Sequence, residues 1–265
     1  MQLQLTQRAC FAIFGLLALT AALAPMPADA SGTDEGKAFR LDDGALVYRE
    51  VHMLYDSSGD PSRLVLYRCP DGSLFARKSV VERAGAATPD FDFVDGRSGY
   101  REGVRTNKGK REVYWQKSST AGEKSKLLDV PAGAVIDAGF DAMVREQWSR
   151  LATKNGITAQ FLLPSALRFL KVSIQRMQGV PEKGVTSLRM KLDTWYGFAA
   201  PDTELDYRSS DHRLLRFKGI GTIHDDRGRN QAVRIEFPGG LEGRRASASE
   251  IAAARRLPLT GRCKG

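Results

Sequence analysis

The sequence predicts a mainly β protein: a large curved antiparallel sheet, forming a half-barrel or open barrel, with one covering amphipathic helix and a short C-terminal helix. Alternation of apolar and polar residues with period 2 recurs along most of the chain, and turn residues separate the runs. Only one long segment, beginning near Asp137, has helical spacing of its apolar residues. Since strands and helices do not alternate, a parallel βαβ fold is excluded.

The first 30 residues are expected to be a cleavable signal peptide. Arg8 precedes an apolar run of about 14 residues, and Ala28-Asp29-Ala30 has the small-x-small pattern of a cleavage site. A membrane-spanning helix needs roughly 20 apolar residues. We therefore predict export and cleavage near Ala30. The remaining residues, 31–265, are expected to form a single β-rich domain that is periplasmic, soluble and without a transmembrane segment.

Residues 31–39 are expected to be a flexible lead-in to the sheet, because they lack a clear alternation. The strands that the alternation predicts lie at 45–55, 62–69, 73–80, around Phe91 and Phe93, and at 100–106, 110–116, 157–163, 167–176, 184–192, 203–208, 213–223 and 231–237. Asp56-Ser-Ser-Gly-Asp-Pro61 and Pro70-Asp-Gly72 supply the turns of an initial three-stranded meander.

Two helices interrupt the strands. In the first, Phe140, Met143, Val144, Trp148 and Leu151 recur at three- and four-residue spacing, and Asn155-Gly156 would end the helix. Its apolar face is expected to pack on the sheet. The second begins at the capping box Ser247-Ala-Ser-Glu250 and ends before Pro258.

The cysteine content and the net charge are typical of an exported, basic protein. Signal cleavage would leave Cys69 and Cys263, which are expected to pair in an oxidising compartment. The net charge of +9 comes from scattered basic residues. One interpretation is that these residues form a solvated surface. The other is that they attract anionic lipid head groups or envelope polysaccharide. A nucleic-acid partner is not expected, because no binding motif interleaves aromatic and basic residues.

No catalytic or metal-binding motif is present in the sequence. His52, His212 and His224 do not have metal-ligand spacing, and neither a Gly-x-Ser-x-Gly elbow nor a Cys-x-x-Cys pair occurs. We therefore expect no catalytic residues, no metal and no cofactor.

A ligand cavity is suggested by two glycines within one predicted strand. Leu215, Phe217, Gly219, Gly221 and Ile223 share a face, and the glycines leave space there for either a covering helix or a ligand. The residues that could line such a cavity are Trp115, Phe161, Leu163, Met190, Trp195, Tyr196, Phe217, Gly219 and Gly221. Residues of these types more often belong to an ordinary core.

Four segments, at 135–148, 161–165, 214–221 and 233–237, resemble uncharacterised periplasmic proteins of Gram-negative bacteria. In particular, they are similar to DUF3108-like proteins. More distantly, the predicted arrangement of strands and helices resembles that of the lipoprotein carriers LolA and LolB. That resemblance implies a half-barrel sheet with covering helices that holds acyl chains. No catalytic residues are implied.

Three functional hypotheses follow. The first is a non-enzymatic periplasmic protein that binds or carries a lipid or other amphiphile between sheet and helix, with basic rim residues contacting an anionic head group. The second is a protein-interaction or structural module of the cell envelope. The third is a hydrolase with an unrecognised site, formed by carboxylates or by His212.

Overall fold

The computed structural model describes residues 34–151, 156–179, 182–193, 202–225 and 228–263. The predicted signal peptide at 1–30 and the residues Asn155, Trp195 and Tyr196 lie outside these ranges. Within them, sixteen strands belong to one sheet. The mainly β class, the large curved sheet and its few helices are as predicted.

The strands are β1 (Glu35–Arg40), β2 (Leu46–Ser57), β3 (Asp60–Arg68), β4 (Leu74–Val81), β5 (Asp90–Asp95), β6 (Tyr100–Asn107), β7 (Lys110–Gln116), β8 (Lys124–Leu128), β9 (Ala134–Val135), β10 (Ile157–Leu163), β11 (Arg168–Arg176), β12 (Val185–Leu192), β13 (Thr203–Arg208), β14 (Leu214–His224), β15 (Asn230–Glu236) and β16 (Arg244–Arg245). The helices are α1 (Gly139–Glu146), α2 (Trp148–Leu151) and α3 (Ala248–Arg256), and a 3₁₀ turn covers Pro164–Ala166.

The sheet consists of two arms that meet at β1, and both are antiparallel except for the parallel pair of β9 and β10. One arm runs from β2 to β8, the other from β15 back to β9, and β1 pairs with β2 on one side and β15 on the other. The expectation of a flexible lead-in at 31–39 was therefore wrong from Glu35 onward. Glu35–Arg40 contains no β-branched residue that would indicate a strand. It is a strand because it pairs with β2 on one edge and β15 on the other, with Ala38 fully buried.

The first predicted helix is interrupted. α1 ends with Gln147 as its C-cap, and α2 continues the chain from Trp148. Phe140, Met143 and Val144 of α1 are buried, as their spacing predicts. The short strands β8, β9 and β16 were not predicted, because segments of two to five residues carry too little alternation to be recognised.

The sheet curves until elements of its two arms touch. The 3₁₀ turn after β10 packs against β6 and β7. The backbone N–H of Ile136, just after β9, donates to the Ala87 carbonyl at 3.0 Å, and the Arg97 guanidinium donates to the His224 carbonyl at 2.9 Å. The concave face thereby encloses an interior.

The convex face of β2 to β4 is covered by α3. Its capping box forms as predicted, since the Ser247 hydroxyl accepts from the Glu250 N–H. The residues of this outer cluster are Met53, Tyr55, Leu64, Leu66, Leu74, Ile251 and Ala254. Beyond α3, the predicted disulfide joins Cys263 to Cys69, with the two Cα atoms 5.4 Å apart.

Candidate functional site

The concave side of the sheet holds a cavity of about 380 Å³. This volume lies within the range of small-molecule sites, which is roughly 300 to 1,000 Å³. Both arms and the start of α1 contribute to its wall. The two arms differ in character, because buried charged groups come from β2 to β6 and apolar groups from β10 to β15.

The charged wall follows from strand register. One row of inward-facing positions crosses β2 to β7, since each residue in it pairs with the next across the sheet. The row contains His52, Val65, Lys78, Phe93, Glu102 and Trp115. Glu50 lies on the same face of β2 as His52, two positions earlier, and also lines the cavity.

Two side chains of this wall, Lys78 and His52, each have a close carboxylate partner. The Lys78 ammonium donates to Asp137 Oδ1 at 2.6 Å, and both side chains are largely buried. The imidazole Nε2 of His52 lies 3.1 Å from Glu50 Oε1. Burial lowers the pKa of His52, against the opposing effect of Glu50, so that the imidazole favours its neutral form. Nδ1 of His52 is buried and has no hydrogen-bond partner among the described residues.

Glu102 is a cavity carboxyl group whose ionisation is strongly perturbed. Burial raises its pKa to about 7, while the Tyr100 hydrogen bond and the charge of Lys78 act in the opposite direction. The Tyr100 hydroxyl donates to Glu102 Oε2 at 2.6 Å. Burial and the Glu102 charge in turn raise the pKa of Tyr100, which keeps that hydroxyl a donor. Glu102 therefore changes charge near neutral pH inside the cavity.

Two further tyrosines line the polar wall. Tyr48 and Tyr67 are buried and meet edge to face, with ring centroids 6.0 Å apart. Burial raises the pKa of both hydroxyls, and the negative charge of Glu50 adds to the effect. Glu102 also raises the pKa of Tyr67, so this ring lies within electrostatic reach of both glutamates.

The opposite wall is mainly apolar. Its apolar members on β10 to β15 are Phe161, Leu162, Leu163, Met190, Leu205, Leu214, Phe217, Ile220, Ile223 and Ile235, and its polar members there are Thr203, Tyr207, Thr222, His224 and Asn230. Phe140 of α1 adds its ring, which meets Phe161 edge to face. The fully buried hydroxyl of Tyr207 faces this part of the cavity and has no hydrogen-bond partner among the described residues.

Five of the predicted lining residues face the cavity: Phe161, Leu163, Met190, Phe217 and Gly221. Trp115 packs against the core without lining the cavity. Trp195 and Tyr196 lie outside the described residues.

The two glycines differ. A Cβ on Gly221 would meet nothing closer than the Tyr48 hydroxyl at 3.8 Å, so Gly221 does leave open space. A Cβ on Gly219 would lie 2.8 Å from Thr203 Oγ1 on the neighbouring strand. The space above Gly219 is therefore filled by Thr203, and Gly219 does not line the cavity.

The expected face of β14 also changes near its start. The pairing with β13 shifts register there, because Asp206 pairs with Arg216 but Tyr207 pairs with Leu214. Leu215 has no partner in this bulge, and Leu214 lines the cavity in its place.

Neither Trp148 nor His212 belongs to the cavity. The Trp148 indole stacks on the His212 ring at 4.0 Å between centroids and contacts the Tyr207 ring edge to face, but neither Trp148 nor His212 lines the cavity. Over the part of the chain that the structure describes, no three His, Cys, Asp or Glu side chains cluster so as to hold a metal.

Sequence reasoning missed the charged wall of Glu50, His52, Lys78 and Glu102. Alternation groups residues by face, and in β2 the apolar set Met53 and Tyr55 was the natural choice for the inside. Those residues instead face α3. The one available signal was the apolar pair Ile251 and Ala254 of α3, which needs an apolar outer face to pack on.

The described helices include none long and apolar enough to cross a membrane. No family model matches the chain, and no curated protein matches it. Among solved structures, the chain is similar to a crystal structure of a beta-barrel-like protein of domain of unknown function DUF1849 from Brucella abortus. The identity is 14%, the TM-score 0.43, and the match covers 76% of this chain and 92% of the other. No comparison shows the resemblance to DUF3108-like proteins or to LolA and LolB, which stays a prediction.

Proposed function

We propose that this protein is a non-enzymatic binding or carrier protein of the bacterial periplasm whose cavity accommodates a lipid or other amphiphile. The observation that carries the proposal is the division of the lining into an apolar wall on β10 to β15 and a charged, tyrosine-rich wall on β2 to β6. An amphiphile matches both walls at once, because its tail removes apolar surface from water while its head group pairs with buried polar atoms.

A binding role is favoured over catalysis because the polar side chains of the cavity wall are hydrogen-bonded to one another. Lys78 is paired with Asp137, Glu50 with His52, and Glu102 with Tyr100. A serine or threonine nucleophile requires a base held against its hydroxyl. The hydroxyls of Ser165, Thr203 and Thr222 line the cavity, but none of them bonds to His52 in the described structure.

Export to the periplasm is supported by two features. The first 30 residues have the organisation of a signal peptide. The disulfide between Cys69 and Cys263 is of a kind that persists in oxidising compartments and is rare in the cytosol.

A cell-envelope interaction module is the alternative, and one observation favours it. β8 is an exposed edge strand, and Leu127 is 53% exposed there. However, Lys124 and Lys126 on the same strand are the charges with which sheet edges are commonly protected from pairing. The cavity therefore remains the better-supported site.

The test fills the cavity at Gly221. Gly221→Leu places a side chain in the open space without a positive φ, and Gly122→Leu is the matched control, because Gly122 also has space around it but does not line the cavity. The uncharged fluorescent probe N-phenyl-1-naphthylamine reports binding. We expect Gly221→Leu to weaken binding of the probe by about tenfold or more, which is about 1.4 kcal/mol. We expect Gly122→Leu to bind as the wild type does.

Thermal unfolding of both variants confirms that each is folded. Equal probe affinity in the two variants, or no binding by the wild type, contradicts the proposal. Native mass spectrometry of protein purified from the periplasm then identifies the bound molecule.

A further inference from the structure

The charges that line the cavity indicate which head group it accepts, provided that the cavity binds an amphiphile as proposed above. Four carboxylates line it: Glu50, Glu102, Asp137 and Asp141. Among the described residues, only two permanent cations do so, Arg63 and Lys78. Carboxylates therefore outnumber permanent cations in the lining, whereas the whole chain has a net charge of +9.

Two of the four carboxylates are compensated by cations. Asp137 is paired with Lys78, and Asp141 with Arg145 on the next turn of α1. Glu50 and Glu102 lie deeper, at 7% exposure each, and neither forms an ion pair with a lysine or arginine among the described residues. Their hydrogen-bond partners are His52, which favours the neutral form, and the Tyr100 hydroxyl. The uncompensated buried charge of the cavity is thus negative.

Arg63 acts on this wall only at a distance, since its charge affects His52 and Tyr67 but it forms no ion pair with either glutamate. It forms no ion pair with any described residue, and its register position on β3, opposite Leu54, is two residues from Val65, which pairs with His52. Its side chain is partly exposed, so water can solvate the guanidinium, whereas Glu50 and Glu102 are removed from water.

The surroundings of the two glutamates suit a cation. Tyr67 is within electrostatic reach of both, and the rings of Tyr48 and Tyr100 belong to the same wall. Aromatic faces combined with carboxylates form the usual environment of bound ammonium groups. The buried, unpartnered Nδ1 of His52 also points to a bound molecule, because a buried polar atom without a partner is unfavourable unless a ligand or water satisfies it.

We propose that the cavity selects an amphiphile whose head group carries a positive charge, an amine or a quaternary ammonium, held between Glu50 and Glu102 against the tyrosine rings. The apolar wall receives the tail. An anionic head group, which the overall charge favours, would bring a further negative charge beside Glu50 and Glu102, neither of which is paired with a lysine or arginine among the described residues.

The test compares three ligands with the same tail, by isothermal titration calorimetry below their micellar concentrations: dodecyltrimethylammonium, dodecyl sulfate and dodecyl maltoside. Tetramethylammonium represents the head group alone. We expect the cationic ligand to bind about tenfold or more tightly than the anionic one, and more tightly than tetramethylammonium. Circular dichroism confirms that the protein stays folded.

The variant Glu50→Gln/Glu102→Gln keeps the shape of the site and removes both charges. It is expected to lose about tenfold in affinity for dodecyltrimethylammonium and clearly less in affinity for dodecyl maltoside. The control Glu146→Gln/Glu182→Gln removes the same charge from exposed positions and should change neither affinity. Near neutral pH, cation binding should also release protons from the wild type, seen in buffers of different ionisation enthalpy, and Glu102→Gln should abolish this release.

Failure of this inference is distinguishable from failure of the proposed function. Equal binding of all three alkyl ligands, or tighter binding of dodecyl sulfate, overturns the cationic head group and leaves amphiphile binding in place. Binding of none of them contradicts the proposed function. Tetramethylammonium binding as tightly as its alkyl derivative supports a free amine as the ligand and contradicts the lipid-binding role.

Discussion

The hydroxyl of Tyr100 and the carboxylate of Glu102 meet at 2.6 Å inside the cavity, two residues apart on one face of β6. Lys78 on β4 and Asp137 before α1 act on the same carboxyl electrostatically. The hydrogen bond and Lys78 favour ionisation of Glu102, but burial outweighs them and leaves its pKa at about 7. This balance makes the stability of the protein depend on pH.

Replacing Glu102 by Gln should stabilise the protein at alkaline pH. The native pKa of about 7 lies above the ordinary value of 4.5, so the native state holds a proton that the unfolded chain releases between these values. Stability from this group therefore falls as pH rises from about 4.5 to 7 and is constant above. We expect the free energy of unfolding of Glu102→Gln to exceed that of the wild type by up to about 3 kcal/mol at pH 8. At pH 5 the two values should be close.

Urea unfolding at several pH values measures this difference. The side-chain amide introduced by Glu102→Gln keeps an acceptor for the Tyr100 hydroxyl, so a loss of stability that is the same at every pH would show that packing, and not ionisation, dominates at this position.

The buried pair Lys78–Asp137 should show strong coupling in a double-mutant cycle. Lys78→Met leaves a largely buried carboxylate uncompensated, and Asp137→Asn leaves a buried ammonium. Asn tolerates the positive φ of 45° at position 137, so the second change alters charge without backbone strain. Each single variant is expected to lose about 3 to 5 kcal/mol of unfolding free energy. The double variant should lose clearly less than the sum.

The exposed pair Lys171–Asp193 is the control for this cycle. Both of its side chains are more than half exposed, at 53% and 51%. Such pairs contribute about 1 kcal/mol or less, so the corresponding variants Lys171→Met and Asp193→Asn should be nearly additive. Equal coupling in the two cycles would refute the special role of the buried pair.

Removing the disulfide should destabilise the protein and loosen α3 first. The bridge closes a loop of 194 residues, for which the loop-entropy relation gives about 5 kcal/mol as an upper value. Cys69→Ser/Cys263→Ser is expected to lose about 2 to 5 kcal/mol in urea unfolding. Hydrogen exchange should rise in α3, which lies between the sheet and Cys263 in the chain. Unchanged exchange in α3 would mean that the outer cluster alone holds this helix.

The sequence predicts the strands of this fold well because alternation is a local signal. The long strands β2, β3, β11, β12 and β14 lie close to their predicted positions. Strand β1 could not be recognised, since its extended form depends on hydrogen bonds to β15, a strand nearly 200 residues later. A local pattern contains no information about such a partner.

The site was harder to predict than the strands, because a local pattern does not show which face of a strand is interior. Phe161, Met190, Phe217 and Gly221 were found because apolar residues and a gap were expected on the concave face. Lys78 and Glu102 were not, since a polar residue within an alternating strand normally faces solvent. Here both faces of β2 to β4 are covered, one by α3 and one by the cavity. Only the three-dimensional structure shows which face is interior.

The junction at β1 has a consequence for how the molecule folds. Within each arm, consecutive strands pair with their neighbours in the chain, so loop closure is short and each arm can assemble early. Lys37, in contrast, pairs with Glu236, 199 positions later. Because closing such a long loop costs more entropy than pairing neighbouring strands, we expect joining the arms to be the slow step of folding. The cavity, whose two walls come from different arms, comes into existence only with that step.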